Sequence, residues 1–329
     1  MRVLGDTGLQ VTALGIGLAA LGRPGYINLG HADDLAHEYD VGAMEQHAHT
    51  VLDAAWRLGI RYFDAARSYG RAEQFLGSWL RSREISPNAV TVGSKWGYVY
   101  TAGWQVEAEA HEVKEHSLAV LERQIMESRD HLSGYLKLYQ VHSATFSSGI
   151  LENTAVLEKL AALKADGLAI GLSLSGADQA AVLDAALQVG VDGARLFDSV
   201  QATWNLLEPS AGAALARAHA AGMGVIVKEA LANGRLTLRN ADPTFAPRRA
   251  VLQAQADRLG TSVDALALAA VMAQPWASVI LSGAATVEQV ESNAAALDVR
   301  WDDEATDALA GLAEPADAYW KARGALEWN

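Results

Sequence analysis

One pattern returns along the whole chain: an amphipathic stretch rich in Ala and Leu, a single glycine, then a short run of β-branched or other apolar residues. Gln46–Leu58, Gly59 and Ile60–Asp64 form the first clear copy, and Glu152–Asp166, Gly167 and Ala169–Ser173 form another. Ala177–Val189, Gly190 and Arg195–Gln201 follow, then Pro209–Ala221, Gly222 and Val225–Lys228. A helix closed by glycine and followed by a short buried run is the repeating unit of a parallel sheet, because glycine ends a helix in the left-handed conformation without a Cβ clash. Leu14–Gly17, Val90–Ser94, Leu136–His142 and Val279–Ser282 bring the strand candidates to eight. Eight alternating units in 329 residues predict an α/β fold closed as a (β/α)8 TIM barrel rather than an open doubly wound sheet. The units are unlike in sequence, so they are architecture and not a tandem repeat.

Three segments fall outside the alternation. Arg2–Val11 reads as an N-terminal β-hairpin turning at Asp6-Thr7-Gly8, placed to cover the barrel bottom. Gly22–Val41 reads as a long polar loop, and Ala313–Asn329 as a C-terminal tail with Tyr319, Trp320 and Trp328 near its end. No linker rich in Pro, Gly or Ser interrupts the chain, so residues 1–329 are expected to form one barrel domain.

Composition narrows the classes. Half the residues are hydrophobic and 20% are charged, enough to bury a sizeable core. The chain has no cysteine, which removes disulfides, thiolate metal sites and a Cys nucleophile, and fits a reducing, cytoplasmic setting. The opening Met1-Arg2-Val3-Leu4-Gly5-Asp6 does not read as a signal peptide, and no run approaches the roughly 18 apolar residues of a membrane helix. A net charge of −13 argues against a nucleic-acid partner, leaving a small molecule as the expected one.

Gly15-Ile16-Gly17 is followed by Gly22, so the G-x-G-x-x-G dinucleotide fingerprint is absent, and no Gly-rich loop ends in Lys-Ser or Lys-Thr. The informative segment is Ile60–Glu73. A strand ends on Asp64, and Tyr69 stands five positions on, in the loop. Lys95 ends the next strand and His142 the one after. In a barrel the strand C-termini and the loops beyond them build the active site, so Asp64, Tyr69, Lys95 and His142 share one rim. Trp96, Tyr98, Tyr100 and Trp104 follow strand three and suggest an aromatic wall on that rim. The loop carrying His31, Asp33, Asp34 and His37 offers another wall but no metal-ligand spacing, and no metal is expected.

These segments resemble the aldo-keto reductase signature: an Asp followed five residues later by Tyr-Gly, a strand ending in Lys, and a later strand ending in His. The resemblance runs from Gly8-Leu9-Gln10-Val11 and Leu14–Gly17 to Val279–Ala284, Gln289 and Asn293. It implies a nicotinamide-dependent oxidoreductase that interconverts a carbonyl and its alcohol. Tyr69 would be the general acid/base, with Lys95 lowering its pKa, Asp64 holding Lys95, and His142 orienting the carbonyl. For the cofactor, the resemblance implies Ser173 and Gln201 at the carboxamide and Trp204 stacked on the nicotinamide. Lys228, Glu229, Ala230, Leu231, Ala232 and Gly234 would lie along the pyrophosphate. Gly283, Gln289 and Asn293 would surround the adenosine, and Ala285 would stand at the 2′-phosphate position. NADP(H) is the favoured cofactor, with NAD(H) also usable, because Ala285 offers a 2′-phosphate no contact while Arg235, Arg239, Arg248 and Arg249 form a basic strap. The resemblance also admits a regulatory subunit like the potassium-channel β subunits, or a sugar or pyridoxal dehydrogenase working oxidatively.

Overall fold

The structure, a computed structural model, describes all residues 1–329. Eight strands form the barrel: β1 (Leu14–Gly17), β2 (Tyr62–Asp64), β3 (Thr91–Trp96), β4 (Leu136–Ala144), β5 (Ala169–Leu174), β6 (Ser199–Thr203), β7 (Gly224–Lys228) and β8 (Val279–Ser282). Neighbours pair in parallel in chain order, and β8 closes on β1 through Ile280–Leu14, Leu281–Gly15 and Ser282–Ile16. The predicted (β/α)8 barrel is therefore the observed fold.

Strand alternation sorts the side chains. Phe63, Val92, Val141, Leu172, Val200 and Val227 face outward and pack with helix residues such as Leu52, Trp79, Leu160, Leu215 and Leu268 in the main core. Tyr62, Leu138, Ile226 and Val279 face inward and form a separate apolar floor with Leu4 and Val11 of the N-terminal hairpin. That hairpin, paired Arg2–Val11 and Val3–Gln10, plugs the bottom as expected. Two glycines make the filling possible. A Cβ at Gly224 would lie 2.4 Å from the Leu4 side chain, and one at Gly93 would lie 2.7 Å from the Tyr62 hydroxyl.

Strand six begins at Ser199, not Arg195. Arg195 pairs instead with Gly190 in a two-residue hairpin ladder. Asp192 and Gly193, at φ 51° and 79°, make the tight reversal, which needs left-handed residues at both central positions. The loop after β1 contains a one-turn helix, His31–Asp34, and the tail contains a helix, Ala316–Gly324. A hairpin of Tyr98–Tyr100 with Glu112–Lys114 follows β3. No helix is long and apolar enough to cross a membrane.

Candidate active site

Asp64 is the hub of the upper barrel. It is 1% exposed, and its carboxylate accepts from Lys95 Nζ, from the Tyr62 hydroxyl at 3.1 Å, from Gln140 Nε2 at 3.1 Å and from Gln201 Nε2 at 3.0 Å. Each donor comes from an inward position of a different strand. Lys95 also donates to the Ala65 carbonyl oxygen at 3.0 Å. Its ammonium lies 4.9 Å from the centre of the Tyr69 ring, and the Tyr69 and His142 rings meet edge to face at 5.4 Å. The four residues of the sequence signature thus converge at one end of the barrel.

The loop carrying Tyr69 is tied down on both sides. Arg67 donates from its backbone to Lys95 O at 3.0 Å, and its guanidinium pairs with buried Glu73 at 2.6 Å. Glu73 also accepts from Ser94 at 2.5 Å and Ser128 at 2.6 Å. Gly70, at φ 58°, turns the chain so that Arg71 N reaches Gly22 O at 2.7 Å.

Electrostatics correct one expectation. The Tyr69 phenol is pushed well above its ordinary value, not lowered: burial is the main cause, the Asp64 charge adds to it, and Arg23 opposes it. Lys95 is ion-paired to Asp64, so the pair presents little net positive charge to the phenol. The proton therefore stays on Tyr69. His142 is held well below the usual imidazole value by burial, then by Lys95 and Arg23, so its ring is neutral.

Arg23 was not singled out by any motif. It is 2% exposed, lies 5.1 Å above the rings of Tyr69 and Tyr26 and 4.8 Å above that of Trp328, and pairs with Glu112 at 3.0 Å. Tyr98 is the one member of the expected aromatic wall that lines the cavity. Trp96 is buried in the main core, and Trp104 packs on Phe75. Tyr26 from the long loop and Trp328 from the tail take the remaining places; Trp328 stacks on His111 at 3.8 Å.

A cavity of about 740 Å³ runs from Tyr69, His142 and Tyr98 to Gln289 and Asn293. Gln201, Lys228, Glu229, Ala230, Leu231, Gly234, Gly283, Gln289 and Asn293 line it. Ala232 and Ala285 are buried behind its wall. Ser173 lies beneath, its Oγ accepting from the Ser143 backbone at 2.8 Å. Trp204 does not reach the cavity; it packs on Trp276 at 5.7 Å in the outer core. It stands one residue past the end of β6 at Thr203, where the chain leaves the barrel wall and carries the ring into the outer core. The strap is also otherwise engaged. Arg235 and Arg248 pair with Glu314 at 2.7 Å and 2.6 Å, Arg249 donates to the Asp242 carbonyl, and only Arg239 lines the cavity.

The loop after β7 has the character of a ligand cradle. Glu229, Ala232 and Asn233 all adopt positive φ (54°, 49° and 55°), a strained state for non-glycine residues, and the buried Asn233 Oδ1 has no partner. Burial brings Lys228 down to about 8. Burial would raise Glu229, but Arg323 and Lys228 outweigh it and hold the carboxylate at about 2. Arg323 reaches in from the tail helix and grips Glu229 at 2.6 Å.

A barrel whose polar cavity opens at the strand C-termini defines a barrel enzyme of the kind that carries its chemistry on the βα loops. Residues 14–314 match the aldo/keto reductase family model, and the chain belongs to that family. It is 26% identical to the L-galactose dehydrogenase of Arabidopsis thaliana, covering 96% of this chain and 94% of that enzyme. Over 102 residues it is 40% identical to the pyridoxal 4-dehydrogenase of Microbacterium luteolum; this match spans 30% of the chain and a quarter (25%) of that enzyme. An aldo-keto reductase of Bacillus halodurans, solved in its holo form, superposes with a TM-score of 0.73 over 96% of both chains at 22% identity and shares the fold. The protein is an oxidoreductase of this family.

Proposed function

We propose that residues 1–329 act as one barrel domain that interconverts an aldehyde or ketone and its alcohol with a nicotinamide dinucleotide, Tyr69 serving as general acid/base. The observation that carries this is the meeting of Tyr69, neutral His142 and the Lys95–Asp64 pair in the wall of one cavity. The cofactor supplies or accepts a hydride at the carbonyl carbon. Tyr69 donates its proton as the carbonyl oxygen gains charge, and Arg23, 5.1 Å above the ring, stabilises the phenolate left behind while Asp64 holds Lys95 beside it. His142, being neutral, donates a hydrogen bond to the same oxygen without competing for the proton. Gln201 spends its Nε2 on Asp64 and keeps Oε1 for the carboxamide amide protons. Lys228 and Asn233 line the path along which the phosphates would run, and the strained loop after β7 fits such a ligand.

The dehydrogenase names of two relatives favour the oxidative direction on a small hydroxylated substrate. The same groups serve it in reverse, with the Tyr69 phenolate, and not the resting phenol, as base. The test is turnover of a panel of aldehydes and alcohols, followed by the nicotinamide absorbance. Turnover that Tyr69→Phe abolishes supports the assignment. Tight nucleotide binding without turnover would favour a regulatory subunit instead.

A further inference from the structure

We propose that Asp34 selects NAD(H) over NADP(H) by accepting the adenosine ribose hydroxyls. This selection rests on the nucleotide reading above and concerns the end of the cavity remote from Tyr69.

Asp34 ends the one-turn helix after β1, and its side chain is only 6% exposed, yet it lines the same cavity as Gln289 and Asn293. Oδ1 accepts from Gln289 Nε2 at 2.9 Å and from Arg239 Nη2; Oδ2 accepts from Arg239 Nη1 at 2.7 Å. A carboxylate has about four acceptor positions, so one remains on Oδ2. A ribose hydroxyl can donate there and leave the Asp34–Arg239 pair intact. The same chemistry lets an acidic residue read ribose in other dinucleotide folds.

A 2′-phosphate finds no comparable place. Arg239 is the one cation lining this end, and besides Asp34 it serves the carbonyls of Leu29 at 3.3 Å and Gly30 at 3.2 Å. Gly30 leaves room for it: a Cβ there would lie 3.0 Å from Nη1. Asp264 and Glu288 also line the cavity, so with Asp34 three carboxylates and one committed guanidinium stand among its lining residues here. The backbone N–H of Ala285 is taken by Gln289 Oε1 at 2.8 Å, and the N–H of Gln289 by the Thr286 hydroxyl at 3.3 Å. His47 is occupied with the Ala285 carbonyl and lies outside the lining. Drawing Arg239 onto a phosphate would strip Asp34 of its partner and set like charges side by side.

The test is equilibrium binding of NADH and NADPH to the full chain, read by quenching of tryptophan fluorescence. NADH is expected to bind at least about tenfold more tightly than NADPH. Asp34→Asn should narrow that gap about tenfold, chiefly by strengthening NADPH. Displacement of NADH from the wild-type chain by adenosine 5′-monophosphate, but far less by adenosine 2′,5′-bisphosphate, checks the selection without a variant. Equal affinities, or tighter NADPH, overturn the selection while leaving the nucleotide reading standing. An NADH preference that Asp34→Asn leaves unchanged overturns the role of Asp34. Failure of both nucleotides to bind overturns the nucleotide reading and the selection together.

Discussion

The two ends of the cavity each centre on a buried carboxylate, but they are built by different means. Asp64 draws its donors from four strands, at positions fixed by the barrel register: Tyr62, Lys95, Gln140 and Gln201. Asp34 draws its partners from segments 205 and 255 residues away, on loops and a helix start that meet only after the barrel has closed. The burial differs too. Lys95 and Asp64 are each 1% exposed, whereas Arg239 is 42% exposed. The reacting end is therefore a rigid part of the core, and the nucleotide end is a clasp whose charge pair is screened by water.

The largest expected effect tests the reacting end directly. Tyr69→Phe should lower turnover roughly 10²–10⁴-fold and leave nucleotide affinity nearly unchanged, because the ring keeps its packing and loses only the proton donor. Steady-state rates and fluorescence titration measure the two halves, and unchanged turnover of a reactive aldehyde would remove Tyr69 from the chemistry.

The second prediction sets the two pairs side by side. Lys95→Met leaves Asp64 as an uncompensated buried charge and should cost about 3–5 kcal/mol in urea unfolding. Arg239→Met removes a half-exposed partner and leaves Asp34 its Gln289 hydrogen bond, so it should cost less than Lys95→Met. Similar losses would mean that the two ends are equally part of the core.

Acid should weaken the fold at both ends. Burial holds His31, beside the Asp34 clasp, and His116, bonded to the His142 carbonyl, each at about 4, and His142 itself well below the usual value. The unfolded chain protonates these rings near pH 6.5 and the folded chain does not. Their contribution is thus present above about pH 6.5 and is lost as pH falls toward 4, by up to about 1.4 kcal/mol per histidine per pH unit. Urea midpoints at pH 7 and pH 5.5 report the loss, and a flat profile would mean that these rings are solvated.

The smallest expected effects belong to residues that the family pattern implicates but the structure turns elsewhere. Trp204→Phe, and Arg248→Ala with Arg249→Ala, should change the NADH and NADPH dissociation constants less than about twofold. A selective loss of NADPH binding in the arginine variant would restore the strap as a reader of the phosphate.

The sequence by itself determined the barrel, because the alternation of amphipathic stretch, glycine and buried run is a local record of which faces meet the core. It also put Asp64, Tyr69, Lys95 and His142 on one rim, since a side chain at or just past a strand end is placed by the strand. The Asp192-Gly193 pair already marked the hairpin that delays β6. What only the tertiary structure decided were the groups that arrive on loops and on the tail: Arg23 and Tyr26 over Tyr69, Trp328 on His111, Arg323 on Glu229, and Asp34 facing Gln289. Their positions depend on contacts between segments far apart in sequence, and a local pattern carries no information about those contacts. The sign of the Tyr69 shift was decided there as well, because burial and the neutralisation of Lys95 by Asp64 are properties of the closed barrel.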